Sequence, residues 1–177
     1  VVDRAEALLL LGAIGGVMIV ADYLRLRSRS VNDLALKLFG KIMRREELKS
    51  FSANSFYIVG LFVVTLLFPK PIVLLSVLYL AIGDPVAAVV GTLFGKHKLV
   101  GKKSLEGALA NFACSFLATL LVSATYFHLS GASLWILAGV GALISIVVEL
   151  IPFPVDDNFT IPVFSAVFLT LVHSVFP

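Results

Sequence analysis

The chain has few charged residues and only one cysteine. Of its 177 residues, 14% are Asp, Glu, Lys or Arg, whereas 59% are hydrophobic. The lone cysteine, Cys114, excludes an intrachain disulfide framework. So little charge, combined with long hydrophobic runs, is typical of a protein embedded in a bilayer, and we expect no nucleic-acid partner.

Lys and Arg are also missing from the whole stretch 104–177. Of the 14 basic residues, eight fall in 25–50 and four in 94–105. The acidic residues near 149–157 therefore need a counter-charge from a metal ion or from the lysines of 94–105.

The hydrophobic runs predict an all-α polytopic membrane protein that forms a single domain over 1–177. A spanning helix needs about 20 mostly apolar residues. Six segments are candidates, of which the second is short and the third contains Gly83-Asp84-Pro85: 5–24, 54–68, 71–94, 106–128, 132–150 and 159–176. With six spans, the positive-inside rule places both basic stretches and the 151–158 connection in the cytoplasm, and both termini on the opposite side.

Residues 31–45 predict a basic amphipathic helix in the cytoplasmic headgroup layer, because their apolar residues recur at helical spacing. Two interpretations remain open for it. The helix is a passive interfacial anchor, or Arg44 or Arg45 reaches a phosphate group. Just before it, Asp22 is expected to pair with a nearby arginine.

Asp84 is an acid inside an otherwise apolar span, and a charge there is costly unless it is paired, solvated or bound to metal. The sequence Gly83-Asp84-Pro85 predicts a break in the helix, with Asp84 as the N-cap of a half-helix over 85–94. Broken membrane helices face protein or water. We therefore expect Asp84 to act in a functional site, although capping alone is the competing interpretation.

The loop after this span is rich in glycine and lysine. It is one residue too short for a Walker A phosphate loop, lacks that motif's Ser/Thr and follows a helix. Ser104 is expected to cap the next span, with Glu106 in its first turn. Gly107, Asn111 and Ser115, at intervals of four, predict close packing with another helix.

A second polar group follows the fifth span. Glu149, Asp156, Asp157 and Asn158 carry hard oxygen ligands, the type that Mg²⁺ prefers. Three prolines between 152 and 162 forbid a continuous helix there. Capping of the sixth span by Asp157 and Asn158 is compatible with this interpretation.

These motifs together resemble the membrane family of CTP-dependent lipid-alcohol kinases, which includes dolichol kinase, phytol kinase and the CTP-dependent diacylglycerol kinase. The resemblance covers about residues 38–165. It is carried by Gly83-Asp84, Ala87, Gly91, Phe94-Gly95, Lys103-Ser104-Leu105-Glu106-Gly107, Asp156-Asp157-Asn158 and Thr160-Ile161-Pro162, with weaker similarity at Leu38-Phe39-Gly40, Arg44 and Glu47. Thr92 departs from the family, which often has a basic residue after the glycine.

The resemblance implies transfer of the γ-phosphate of CTP to a lipid alcohol, with Mg²⁺ as cofactor. The residues expected to carry catalysis are Asp84, Glu149, Asp156 and Asp157. Metal binding is assigned to Asp84 with Asp156 or Asp157. The nucleotide-binding set is Gly83, Gly91, Gly95, Lys96, Lys98, Lys102, Lys103, Ser104, Glu106, Asn158 and Arg44.

Two other functions compete with this hypothesis. A cytidylyltransferase that acts on a phosphorylated lipid has the same metal and nucleotide requirements. A small cation-coupled transporter would explain an intramembrane acid in a broken helix, but it does not explain a lysine loop facing a diacidic loop. The acceptor lipid and the oligomeric state are not determined by the sequence.

Overall fold

The computed structural model describes residues 3–40 and 45–175, and this part of the chain is helical with no β-strand. The α-helices are α1 (Arg4–Arg27), α2 (Arg29–Phe39), α3 (Ala53–Leu67), α4 (Lys70–Leu78), α5 (Asp84–Phe94), α6 (Leu105–Tyr126), α7 (Gly131–Leu150) and α8 (Asp157–Val175). A 3₁₀ turn, Arg45–Leu48, precedes α3, and a π-helical turn, Tyr79–Gly83, joins α4 to α5.

The predicted all-α polytopic membrane fold is confirmed. Four helical stretches are long and apolar enough to cross a bilayer: Arg4–Arg27, Lys70–Phe94, Leu105–Tyr126 and Gly131–Leu150. Two shorter apolar helices, Ala53–Leu67 and Asp157–His173, coincide with the remaining predicted spans.

The interior lies where α3, α4 and α8 pack together. Val64, Leu75 and Leu169 are almost completely buried there. Tyr79 extends this core to α6, because its hydroxyl lies 2.7 Å from that of Thr119. The opposite surface of α6 is apolar and exposed, with Leu121 68% accessible, which is the surface expected where a helix faces lipid.

The predicted break at Gly83-Asp84-Pro85 is wrong, because the helix continues through these residues by way of a π-helical turn. Asp84 has helical dihedrals, φ −62° and ψ −49°, and its N–H donates to the carbonyl of Tyr79, five residues earlier. Asp84 is therefore the first residue of α5 and not its N-cap. The physical reason is that proline cannot donate an amide hydrogen bond and its ring crowds the preceding turn; a π-helical turn accommodates both effects without ending the helix.

The predicted pairing of Asp22 is confirmed. Arg25 Nη2 lies 3.0 Å from Asp22 Oδ1, and both side chains are buried. The other carboxylate oxygen of Asp22 accepts from Ser52 Oγ at 2.8 Å and Ser55 Oγ at 2.7 Å, at the start of α3. This polar cluster therefore joins the end of α1 to the beginning of α3.

The opposite ends of the same two helices are joined as well. Arg4, at the start of α1, donates to the carbonyls of Thr65 at 2.9 Å and Leu66 at 2.6 Å, at the end of α3. The two helices are thus antiparallel, and the two contacts lie on opposite sides of the bundle.

The predicted amphipathic helix is confirmed as α2, although α2 begins two residues earlier than predicted and ends at Phe39, before Gly40. None of its residues is buried in the protein, and Leu34 and Leu38 are 57% and 64% exposed. An apolar face left uncovered by the protein suits a helix lying in the headgroup layer. Arg44, assigned to nucleotide binding, lies outside the described residues.

Candidate active site

The polar segments lie together at one end of the bundle. The C-terminal ends of α5 and α7 lie there with the N-terminal ends of α6 and α8, because successive spans alternate in direction. The 95–104 loop joins α5 to α6, and the 151–156 segment joins α7 to α8. The lysine-rich loop and the acidic segment therefore share one side of the molecule.

The 95–104 loop folds back on itself in a tight turn. Leu99 N–H donates to the carbonyl of Lys103, and Lys103 N–H donates to that of Val100, both at 2.9 Å. Gly101 has φ +56°, a left-handed conformation that glycine adopts without steric cost. The turn leaves Lys98 and Lys102 exposed, whereas Lys103 is partly buried.

Lys103 connects the loop to both acidic segments. Its Nζ donates to the backbone carbonyl of Glu149 at the end of α7. The same atom lies 3.1 Å from Asp157 Oδ2 in the first turn of α8. The predicted counter-charge from the lysine loop is thus confirmed for this pair, and it ties three helix ends together.

Glu149 is the buried carboxylate of the cluster, with only 5% of its surface exposed. Asn111 of α6 donates through Nδ2 to Glu149 Oε2. The amide oxygen of Asn111 accepts from Ser115 Oγ at 2.7 Å and Ser145 Oγ at 2.9 Å. Because every member is hydrogen-bonded, this network holds one face of the carboxylate in a single orientation.

Asp84 lies in the same region. Its carboxylate lies within range of charge–charge interaction with Glu149, as do the carboxylate of Asp157 and the ammonium group of Lys103. The neighbouring Gly83 packs against α6 so closely that a Cβ there would lie 2.5 Å from Asn111 Oδ1. Four distant segments of the chain therefore meet here. We call the group formed by Asp84, Lys103, Glu149 and Asp157 the acid–lysine cluster.

Asp156 has a different position from Asp157. Its Oδ1 accepts from the Asn158 backbone N–H at 2.9 Å and from Asn158 Nδ2 at 2.6 Å. Asp156 therefore caps α8, and the prediction that Asp157 and Asn158 would cap it is wrong. The physical reason is that α8 begins at Asp157, two residues before the predicted start at 159, so that the cap position falls on Asp156 and Asp157 can face Lys103.

The start of α6 is held by the two predicted residues. Ser104 accepts from the Gly107 N–H at 3.2 Å, which confirms the predicted cap. Glu106 accepts from the backbone N–H of His97 at 3.3 Å and contacts its Nδ1 at 2.8 Å. The carboxylate of Glu106 thus anchors the first residues of the loop.

Two glycines assigned to the nucleotide have a packing role in this structure. A Cβ at Gly91 or Gly95 would lie 3.0 Å or 2.7 Å from Ser104 Oγ. Both positions let α5 and the loop approach the start of α6. Contact of their backbone with a nucleotide stays a prediction.

The remaining predicted phosphate-binding residues, Lys96, Lys98 and Lys102, are exposed around the loop. Within the described ranges, no three His, Cys, Asp or Glu side chains are grouped so as to hold a metal ion by themselves. Mg²⁺ is usually held by one or two carboxylates together with substrate phosphates. Asp84 and Asp157 carry carboxylate oxygens, the type of donor that such a site uses.

Asn111 and Ser145 form the hydrogen-bond network that orients Glu149, and the sequence did not assign either of them to the site. Asn111 was expected only in a packing stripe, and Ser145 was not singled out. The available signal was spacing: Ser145 precedes Glu149 by four residues, as Asn111 precedes Ser115, so each pair shares a helix face. The sequence did not show that α6 packs against α7, which is what brings the two pairs together.

The chain is similar to proteins named as lipid kinases. It is 29% identical to the CTP-dependent diacylglycerol kinase 1 of Saccharomyces cerevisiae over an alignment of 181 positions. The alignment covers 90% of this chain and 62% of the relative. It is 30% identical to the protein of the same name in Schizosaccharomyces pombe over 173 residues, which cover 85% of this chain and 74% of the relative.

A third relative is the probable chloroplastic phytol kinase of Triticum aestivum, 34% identical over 130 residues, which cover 67% of this chain and 43% of the relative. The chain spans less than two thirds of the length of the Saccharomyces and Triticum proteins. No protein-family model matches the chain, and no solved structure matches it.

Proposed function

Because the chain belongs to the family of CTP-dependent lipid kinases, we propose that it transfers the γ-phosphoryl group of CTP to the hydroxyl of a lipid alcohol. The observation that most supports this is the acid–lysine cluster, in which distant segments bring three carboxylates and one lysine together at one end of a membrane bundle. Diacylglycerol, phytol and a polyprenol such as dolichol are candidate acceptors. Residues 1–177 would form one membrane-embedded catalytic domain.

The proposed reaction breaks the bond between the γ-phosphorus and the oxygen that bridges it to the β-phosphate. A new bond forms between the same phosphorus and the lipid oxygen, CDP leaves, and the hydroxyl proton passes to a carboxylate. Catalysis of such transfers consists mainly of positioning and charge stabilisation. The acid–lysine cluster supplies groups for both.

Each residue of the cluster has a role that its contacts support. Glu149, oriented by Asn111, would accept the hydroxyl proton. Lys103 balances the acids before the nucleotide binds and would contact a phosphate oxygen afterwards. Asp84 and Asp157 would bind Mg²⁺ directly or through water, and the ion would neutralise phosphate charge.

The exposed lysines of the 95–104 loop, Lys96, Lys98 and Lys102, would attract the triphosphate from the aqueous side, since clustered charge of one sign raises the local concentration of an oppositely charged substrate. This requires the cluster and its loops to face the cytoplasm, where the positive-inside rule also places them. The acceptor lipid would approach from within the bilayer.

The direct test uses purified protein in detergent with Mg²⁺, a panel of lipid alcohols and CTP labelled in either the γ- or the α-phosphate. We expect label in the lipid only from γ-labelled CTP. Label from α-labelled CTP would indicate a cytidylyltransferase, and no label with either nucleotide across the panel would contradict the proposed reaction.

Replacement of one acid tests the site itself. Asp84→Asn keeps the size of the side chain but removes its charge, so we expect at least about a 100-fold fall in kcat with the fold retained. The matched control is Lys70→Ala, because Lys70 is exposed at the start of α4, on the other side of the membrane. Size-exclusion profiles in detergent check folding. Normal turnover by Asp84→Asn would overturn the assignment.

A further inference from the structure

An apolar groove lies on the side of the bundle formed by α1, α3 and the segment that enters α8. Its volume is about 280 Å³, and its walls are Ile19 of α1, Phe51, Phe56 and Val59 in and before α3, and Val155 and Phe159 around the start of α8. Ser55 also borders it, but its hydroxyl donates to Asp22 Oδ2 at 2.7 Å. The groove therefore presents a hydrocarbon surface.

The walls of the groove are fixed by contacts outside it. The Asp22 cluster joins α1 to α3 at the edge of the groove, through buried hydrogen bonds. On the other side, α3 packs on the start of α8 at Gly60, where a Cβ would lie 3.1 Å from the Asn158 carbonyl and 3.3 Å from Phe159 Cα. These contacts fix α1 and the start of α8 against α3 and so define the walls of the groove.

The groove and Asp157 of the acid–lysine cluster both adjoin the start of α8. Val155 and Phe159, which line it, immediately flank Asp156, Asp157 and Asn158 in the sequence. Val155, just before α8, and Phe159, in its first turn, thus face the groove, whereas Asp157 faces Lys103. A molecule lying along the groove would therefore reach the first turn of α8, which carries Asp157.

We propose that this groove binds the hydrocarbon chain of the acceptor lipid and so positions the lipid hydroxyl at the acid–lysine cluster; this inference depends on the proposed kinase function. A hydrocarbon chain is the occupant that fits, because the lining is apolar and the groove belongs to a membrane bundle. Its volume is at the lower end of ligand pockets, so it holds part of one chain and leaves the remainder in the bilayer.

The first test narrows the groove without touching the acids. Val59→Phe adds volume to its wall, and Leu117→Phe is the matched control on the lipid-facing surface of α6, where Leu117 is 59% exposed. Acceptors are dioleoylglycerol and dioctanoylglycerol. We expect Val59→Phe to raise KM for the long-chain acceptor about tenfold, with a smaller rise for the short-chain one and no change in KM for CTP.

Equal effects of Val59→Phe and Leu117→Phe, or equal effects on the two acceptors, would overturn the proposal. If Val59→Phe does not fold in detergent, Val155→Phe replaces it, because Val155 is 38% exposed in a loop and tolerates a larger side chain more easily.

The second test needs no turnover. A diacylglycerol with a photoactivatable diazirine in one acyl chain is irradiated with the protein in nanodiscs, and labelled peptides are identified by mass spectrometry. We expect label concentrated in 51–59 and 155–159, displaced by excess dioleoylglycerol. Label spread evenly over all lipid-facing helices would contradict the groove, whereas absence of CTP-dependent phosphorylation by the unsubstituted protein would contradict the kinase function instead.

Discussion

At the scale of single residues, Asn111 stabilises the buried carboxylate of Glu149 inside this bundle. Its amide has a donor and an acceptor side. The donor side meets Glu149, and the acceptor side meets the hydroxyls of Ser115 and Ser145. A carboxyl group in the same position would place a second negative charge against Glu149.

This gives a prediction for two substitutions. Asn111→Leu removes the hydrogen bonds to a buried carboxylate and should destabilise the protein by about 1–3 kcal/mol. Asn111→Asp should destabilise it at least as much at neutral pH, because two acids then share one site. Thermal unfolding in detergent measures both effects. Unchanged melting temperatures would show that Glu149 does not depend on Asn111.

At the scale of helices, the contact between α1 and α3 depends on a buried ion pair. Arg25 donates to Asp22 and also to the carbonyls of Glu47 at 2.8 Å and Ser50 at 2.7 Å. One guanidinium therefore joins α1 to the segment before α3. Lysine cannot reproduce this planar set of donors.

Arg25→Ala should lower the free energy of unfolding by about 3–5 kcal/mol, because it leaves the Asp22 carboxylate buried without its cation. Arg27→Ala is the control, since Arg27 is exposed and its guanidinium carbon lies over the ring of Tyr23, 5.8 Å from the ring centre. Detergent melting curves compare the two variants. A loss for Arg25→Ala no larger than that of the control would be inconsistent with a stabilising cluster.

The contact between α5 and α6 depends on the absence of a side chain. A Cβ at Gly107 would lie 2.6 Å from the backbone carbonyl oxygen of Ala87, which cannot move independently of its helix. At Gly139 of α7 a Cβ would meet nothing within 4 Å.

Gly107→Ala should therefore lower both stability and kinase activity, because it forces α5 and Asp84 away from α6. Gly139→Ala should be neutral or slightly stabilising, as alanine is the better helix former by about 1 kcal/mol. Melting temperature and phosphate transfer are measured on both. If both variants behave alike, close packing of α5 on α6 is not what positions Asp84.

At the scale of the whole molecule, the proposed six-span topology predicts the acid–lysine cluster on one side of the membrane and Lys70 on the other. Single cysteines test this arrangement. After Cys114→Ala, Lys98→Cys should react with a membrane-impermeant maleimide added from the cytoplasmic side, and Lys70→Cys only from the opposite side. Vesicles of known orientation provide the measurement. Labelling of both positions from the same side would contradict the six-span topology.

Several features followed from the sequence because they depend on local chemistry. Apolar runs of sufficient length require spanning helices, and the positions of Ser104 and Asp22 indicated a helix cap and an ion pair that the structure confirms. The π-helical turn at 79–83 did not follow, because the sequence shows that Pro85 disturbs a helix but not whether the neighbouring turns can absorb the disturbance. The cap at Asp156 was missed for a similar reason, since a shift of one residue exchanges the roles of two adjacent aspartates.

The sequence alone determined that this is a helical membrane protein with acids and lysines near one side, because composition and helix length act without reference to neighbours. Only the tertiary structure decided which of those groups meet. Glu149 became a buried carboxylate because α6 and α7 pack together and supply Asn111 and Ser145, and Lys103 came to bridge α7 and α8 because the 95–104 loop turns inward. Such contacts depend on which helices are adjacent and how they are rotated, and neither property can be read from residues far apart in the chain.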